Sequence, residues 1–173
     1  MGTNIRANID LSINIVIAIA IVAVAAAVVK RYVFSSNPAN PPRIAKGDRL
    51  EVPNVNWEQN EKTLVFFLMK DCRYCQSSAP FYRQLLADAS ERKVKVLAIL
   101  PNSVKEAKEY VQVLQLPIDN IQTGSLASYK IPGSPSIVFV DKQGIVKSAW
   151  LGAADGREQK MRDELVALFA ARP

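Results

Sequence analysis

Cys72 and Cys75, separated by Arg73 and Tyr74, are the only two cysteines of a 173-residue chain. The two-residue gap lets both thiols close a small disulfide ring when the second cysteine lies on the first turn of a helix. A C-x-x-C that leaves a strand and opens a helix reads as a thiol–disulfide redox pair. The apolar run Thr63–Met69 supplies that strand directly upstream. It would deliver Cys72 to the mouth of a helix, where free backbone N–H groups and the macrodipole favour a thiolate. Cys72 is therefore expected to be exposed, and Cys75 to be buried and less reactive.

Three plainer uses of the pair compete. Free cysteine packs like a small apolar residue, but Arg73 and Tyr74 argue against a wholly buried pair. A structural zinc site takes about four Cys or His ligands, and this chain has two cysteines and no histidine. Only a dimer sharing one ion could rescue that idea, so no metal is expected. A purely structural disulfide is weak, because so short a ring constrains little of the unfolded chain. The redox reading wins, with no cofactor beyond the Cys72–Cys75 disulfide itself.

The elements that must position the pair begin with an apolar N-terminus. Leu11 to Val29 is apolar apart from Ser12 and Asn14, and Tyr32, Val33 and Phe34 extend it. That length suits a helix crossing a hydrocarbon core of ~30 Å. A cleaved signal peptide is the rival, with small residues at Ala23-Val24-Ala25. Its apolar core would run only ~7–15 residues behind a basic start, whereas here the run continues to Val29 behind Arg6 alone. The expectation is a tail over 1–10 and a single uncleaved anchor over 11–33.

Charge complicates the orientation. Lys30, Arg31, Arg43, Lys46 and Arg49 follow the span, against Arg6 before it, so counting places the C-terminal part in the cytosol. Long domains translocate largely regardless of charge, and redox-active thiols suit oxidising spaces. An extracytoplasmic, periplasmic-side domain on a single-pass anchor is expected, with the charge count opposed to it. Residues 34–49, with Pro38, Pro41 and Pro42, read as an extended linker, and 50–173 as one compact domain. The net charge is +6. Its basic residues are scattered, and the densest cluster, Arg92-Lys93-Val94-Lys95, borders a buried strand. No nucleic-acid partner is expected; contact of the juxtamembrane basic residues with anionic lipid is an open expectation.

Thr63–Met69 and Val94–Leu100 read as buried strands by their continuous apolar runs. A helix from Arg73 to Ala89 would turn Phe81, Leu85, Leu86 and Ala89 inward, bent at Pro80. Ser103-Val-Lys-Glu106 has the form of a capping box, opening a helix with Ala107, Val111 and Leu114 on its apolar stripe. Ile118–Gln122 is a short strand and Leu126–Tyr129 a helical turn. Ser136–Asp141 and Ile145–Leu151 flank Lys142-Gln143-Gly144 as a hairpin. Asp155 to Glu158 has capping-box spacing before a last helix carrying Met161, Leu165, Leu168 and Phe169. The order β-α-β-α-β-β-α implies an α/β layer fold with a mixed sheet.

The strand–C-x-x-C–helix unit, Pro80, and Gly133-Ser134-Pro135-Ser136 before the hairpin together resemble the thioredoxin fold. With the element between strands two and three and Asp141-Lys-Gln-Gly144, they resemble its membrane-anchored TlpA/ResA-like, or redoxin-like, branch over roughly residues 50–170. The resemblance implies that Cys72 attacks and Cys75 resolves. It also implies a cis Pro135 facing the disulfide, since X–Pro bonds alone adopt cis readily. Ser134 would then offer main-chain hydrogen bonds to a docking substrate, beside Tyr74.

Three departures stand out. Phe66 occupies the place of a buried Asp common in thioredoxins, and Ser78 that of a Glu frequent in ResA-like members. Without a carboxylate, proton transfer from Cys75 must use water or another group. Arg73-Tyr74 is neither Gly-Pro nor x-Pro; Tyr occurs before the second Cys in glutaredoxins and disulfide isomerases. Arg73 sets a fixed positive charge beside the attacking thiol, expected to favour its thiolate. A peroxiredoxin-type antioxidant would need Thr and Pro where Met69 and Val65 stand.

These residues point to a membrane-tethered thiol–disulfide oxidoreductase acting on protein thiols or disulfides. A membrane electron donor or acceptor would reset its disulfide. A link to cytochrome c biogenesis rests on the family analogy alone. The alternative from another class is a docking module with vestigial cysteines. The direction of electron flow is not written in the sequence.

Overall fold

The computed structural model describes residues 17–27 and 42–171. The chain divides into two compact units, Met1–Pro41 and Pro42–Pro173. In the first, residues 17–27 form a helix, α1, exposed along its length. No helix among the described residues is long and apolar enough to cross a membrane. The rest of the 11–33 segment, the 1–10 tail and residues 34–41 of the linker lie outside the described residues.

The second unit runs β1 (Lys62–Phe67), α2 (Arg73–Glu91), β2 (Lys95–Leu100), α3 (Val104–Val113), β3 (Ile121–Thr123), β4 (Ser136–Asp141), β5 (Val146–Leu151) and α4 (Glu158–Ala170). Its five strands lie in the order β3-β2-β1-β4-β5. β1 is central, parallel to β2 with Val65 opposite Leu97, and antiparallel to β4 with Val65 opposite Val138. A strand covered on both faces has no use for polar alternation, which explains the unbroken apolar run. Leu64 and Phe66 point into one core with Leu85 of α2, Ala107 of α3 and Leu165 of α4. Val65 and Phe67 point into the other, under Leu50, Trp57 and Tyr129.

The capping box at Ser103 and Glu106 forms in both directions, and Asp141 Oδ1 accepts from the N–H of Gln143 and of Ile145 to close the hairpin. Elsewhere the structure corrects the sequence reading. The linker does not reach residue 49. Ile44 and Leu50 are buried in the second core, Arg49 bridges Ile145, and Gly47 N–H donates to the Val146 carbonyl. One isoleucine among prolines and charges gives no periodicity, so this anchoring was invisible locally. α4 is not capped by Asp155: Arg157 holds the N-cap position and no side chain bonds there. In α2, Tyr82 is fully buried while Phe81 is half-buried, because Tyr82 meets Phe66 edge-on at 5.4 Å.

Candidate active site

β1 ends at Phe67, and four residues later the chain turns through Asp71 in the left-handed region at φ 61°. Asp is one of the few side chains that visit this region readily. The turn leaves Cys72 at the N-cap of α2, extended at φ −73° and ψ 109°. An N-cap side chain accepts from the first orphan amides of its helix. Here the Cys72 sulfur does so, 3.3 Å from the Cys75 amide. Cys75 is one turn in and fully buried.

Ser134 joins both sulfurs. The Ser134–Pro135 peptide is cis, and Pro135 is buried. Cys72 S–H donates to the Ser134 carbonyl at 3.5 Å. Cys75 Sγ and Ser134 Oγ are 3.0 Å apart, and the same hydroxyl donates to the Phe67 carbonyl at 3.4 Å. Tyr110 of α3 donates from its hydroxyl to the Cys72 carbonyl at 3.3 Å. Two cysteines, a cis-proline loop and a helix from the far side of the chain thus meet at the C-terminal end of β1.

Cys72 is not the open thiol expected. It is only 7% exposed, because its sulfur lies between the α2 amides and the Ser134 carbonyl. Cys75, at 0%, is held in its neutral form: burial pushes its thiol up to about 12. The hydrogen bond with Cys72 acts the same way and the Ser134 hydroxyl opposes it. Burial likewise raises the hydroxyls of Tyr82 and Tyr110 above the ordinary tyrosine value. Tyr74 is 55% exposed on the rim. Arg73 is exposed and, among the described residues, has no ion pair or hydrogen-bonding partner for its guanidinium. Phe66 and Ser78 are both buried where a carboxylate was sought.

Tyr110 and the Ser134 side chain were not found by sequence reasoning, which assigned Ser134 only a backbone role. The place left by the absent carboxylate was their one signal. Among the described residues no three His, Cys, Asp or Glu side chains gather as metal ligands.

Residues 45–149 match the family described as AhpC/TSA. The chain belongs to the AhpC/TSA family. Solved structures show the fold of this AhpC/TSA member. A Chlorobium tepidum protein assigned as thiol:disulfide interchange protein DsbE is 17% identical, with a TM-score of 0.60 over 73% of this chain and 99% of that one. The thioredoxin domain of a Bacteroides vulgatus thiol-disulfide oxidoreductase is 18% identical, TM-score 0.56, over 71% and 99%. A PrxQ mutant from Xylella fastidiosa is 14% identical, TM-score 0.56, over 73% and 98%. At these identities the likeness is one of fold, an α/β thioredoxin-like fold with a mixed sheet between its covering layers. A search among curated proteins finds no match.

Proposed function

We propose that this AhpC/TSA member is a membrane-tethered thiol–disulfide oxidoreductase acting on protein disulfides through Cys72 and Cys75. The observation that carries the reading is the pairing of both sulfurs with Ser134 at a helix N-terminus. In the exchange, the Cys72 thiolate attacks one sulfur of a partner disulfide. A mixed disulfide forms, and the partner's other sulfur leaves as a thiolate and takes a proton. Cys75 gives up its proton and attacks Cys72 Sγ. The Cys72–Cys75 disulfide forms and the partner's remaining sulfur departs as a second thiol. The partner gains two electrons and two protons, which this chain loses; a membrane dithiol donor would restore them. The steps run backwards equally well, which makes the chain an oxidant.

Arg73 beside the attacking thiol is assigned to favour its thiolate, and Tyr74 with the Ser134–Pro135 edge to dock the partner. The apolar run within 11–33 supports the tether and, with the redox chemistry, an extracytoplasmic domain; cytochrome c biogenesis is one setting for such a protein. Met69, three residues before Cys72, has no hydroxyl to bind a peroxide, which weighs against a peroxidase.

Cys75→Ser should accumulate protein adducts that reduction removes, since the attacker remains and the resolver is gone. Cys72→Ser should trap little, because Cys75 is fully buried. Equal trapping by both variants would undo the assignment of roles, and none by either would favour a docking module. Reporter fusions after Pro173 test the tether; a cytosolic reporter would refute the orientation.

A further inference from the structure

β5 is the outer strand of the sheet, and its free side is only partly used. At Val146 the chain's own N-terminal segment pairs with it: Gly47 N–H donates to the Val146 carbonyl at 2.9 Å, and Val146 N–H to the Asp48 carbonyl at 2.8 Å. The segment then peels away, and Ile44 N–H donates instead to the Lys130 carbonyl at 3.0 Å. From Lys147 to Leu151, among the described residues, no backbone group bonds to a segment outside the β4–β5 ladder. An unpaired edge is a template for an incoming strand.

That edge floors a groove of about 590 Å³. One wall is α4, with Arg157 and Lys160; the other is the Ile44–Lys46 segment. The walls lie on opposite faces of the sheet, since Leu165 of α4 packs in the first core and Ile44 in the second. Trp150 leans toward the first face, where the Arg157 guanidinium sits 5.7 Å from its ring. Ala149 and Leu151 lean toward the second, packed against the core cluster that includes Ile44. A strand added to β5 would therefore alternate its side chains between a cationic wall and a largely apolar one.

Charge selects the occupant. Arg157, Lys160 and Lys46 have no ion-pair partner among the described residues. Lys147 is already paired with Asp141 at 2.7 Å. Among the described residues lining the groove the one carboxylate, Glu164, is held by the Ser148 hydroxyl.

We infer that the free edge of β5 binds an extended peptide segment of a partner protein in which acidic and apolar residues alternate. Its acidic residues face Arg157 and Lys160, and its apolar ones lie along Ile44, Ala149 and Leu151. The groove is one strand from the active site: Leu151 lies opposite Ser136, which follows Pro135. A bound segment is thereby positioned to bring a neighbouring disulfide toward Cys72; this purpose, and not the binding, rests on the redox reading.

The test uses the full chain in mild detergent and a fluorescent peptide of alternating Glu and Val, about eight residues long to outspan the ~17 Å edge. It should bind, and lose about tenfold in affinity in the triple variant Lys46→Glu, Arg157→Glu, Lys160→Glu. A peptide of the same composition in two blocks, and an alternating one with a central proline, should bind at least about tenfold more weakly. Exchange with a small-molecule disulfide should be unchanged in the triple variant, which shows that it folds. Block and alternating peptides binding alike would overturn the proposal. So would short-chain phosphatidylglycerol binding with the same charge dependence while the alternating peptide does not, since the groove would then be a lipid-facing surface. Peptide binding without any disulfide exchange would sink the redox reading and leave the groove standing.

Discussion

Ser134 Oγ lies 3.0 Å from Cys75 Sγ, across 59 residues of sequence. In the thiol state the Ser134 hydroxyl donates to the Phe67 carbonyl, so it accepts from Cys75 S–H. Once Cys75 loses its proton, the same hydroxyl can swing to donate to the sulfur. It is the polar group nearest to the role that a buried carboxylate plays elsewhere. Ser134→Ala should slow release of the mixed disulfide about fivefold, the rate equivalent of one net hydrogen bond of ~1 kcal/mol. Ser134→Thr, which keeps the hydroxyl, should recover most of it. Stopped-flow release of a thiol leaving group measures both, and unchanged release in Ser134→Ala would remove Ser134 from the mechanism.

The raised Cys75 thiol sets a pH dependence with a definite sign. Only the thiolate resolves, and burial holds Cys75 protonated up to about 12. Release should therefore speed up roughly tenfold per pH unit from neutral upward, with no plateau near the ordinary thiol value. The same shift is a stability statement. A pKa higher in the folded than in the unfolded chain stabilises the reduced protein below the unfolded value, and that contribution is lost as pH rises through the folded one. The reduced chain should unfold at lower denaturant concentration at alkaline pH. A release rate that levels off near pH ~8.5 would contradict this.

Gly144 closes the β4–β5 hairpin at φ +74°, and a Cβ there would lie 2.6 Å from Trp57 Cδ1 and 3.2 Å from the Leu50 carbonyl oxygen. Trp57 cannot yield freely, because its Nε1 donates to that same carbonyl at 3.0 Å. Gly144→Ala should cost about 1–3 kcal/mol from the left-handed backbone alone, with the contact adding to it. A denaturant midpoint lowered at unchanged slope is the expected signature.

Arg162 of α4 grips Asp88 of α2 with two bonds, Nε to Oδ2 at 2.6 Å and Nη2 to Oδ1 at 3.0 Å. The Arg162 hydrogen bond, against a smaller opposing effect of burial, holds the Asp88 carboxyl below its usual range. A depressed carboxylate stabilises the fold above its unfolded pKa, and that contribution is lost as pH falls through the folded one. Asp88→Asn should lower the melting temperature at neutral pH. The gap to the parent should close in acid; a gap independent of pH would rule out the ion pair as its cause.

Local patterns carried much of this protein in its sequence. The unbroken run through Phe66 and Phe67 marked a strand buried on both faces, because only a central strand can omit polar alternation. Ser103 and Glu106 marked a helix start because a capping box closes within one turn. Cys72 and Cys75 were legible as a pair for the same reason, being three residues apart on one helical turn. Among contacts assembled from distant segments, only the meeting of the cis Ser134–Pro135 loop with the two cysteines was foreseen, through the family resemblance and not from local pattern. Packing of the Ser134 loop against α2 buried Cys72 and gave Cys75 its hydroxyl partner, and α3 brought Tyr110 beneath them. Tertiary packing also drew Ile44 and Leu50 into the core and, among the described residues, left the far side of β5 open from Lys147 to Leu151. Hydrophobic period and capping act over a few bonds and leave a mark in the order of residues. Which loop meets which thiol depends on how whole layers pack, and no local spacing encodes that.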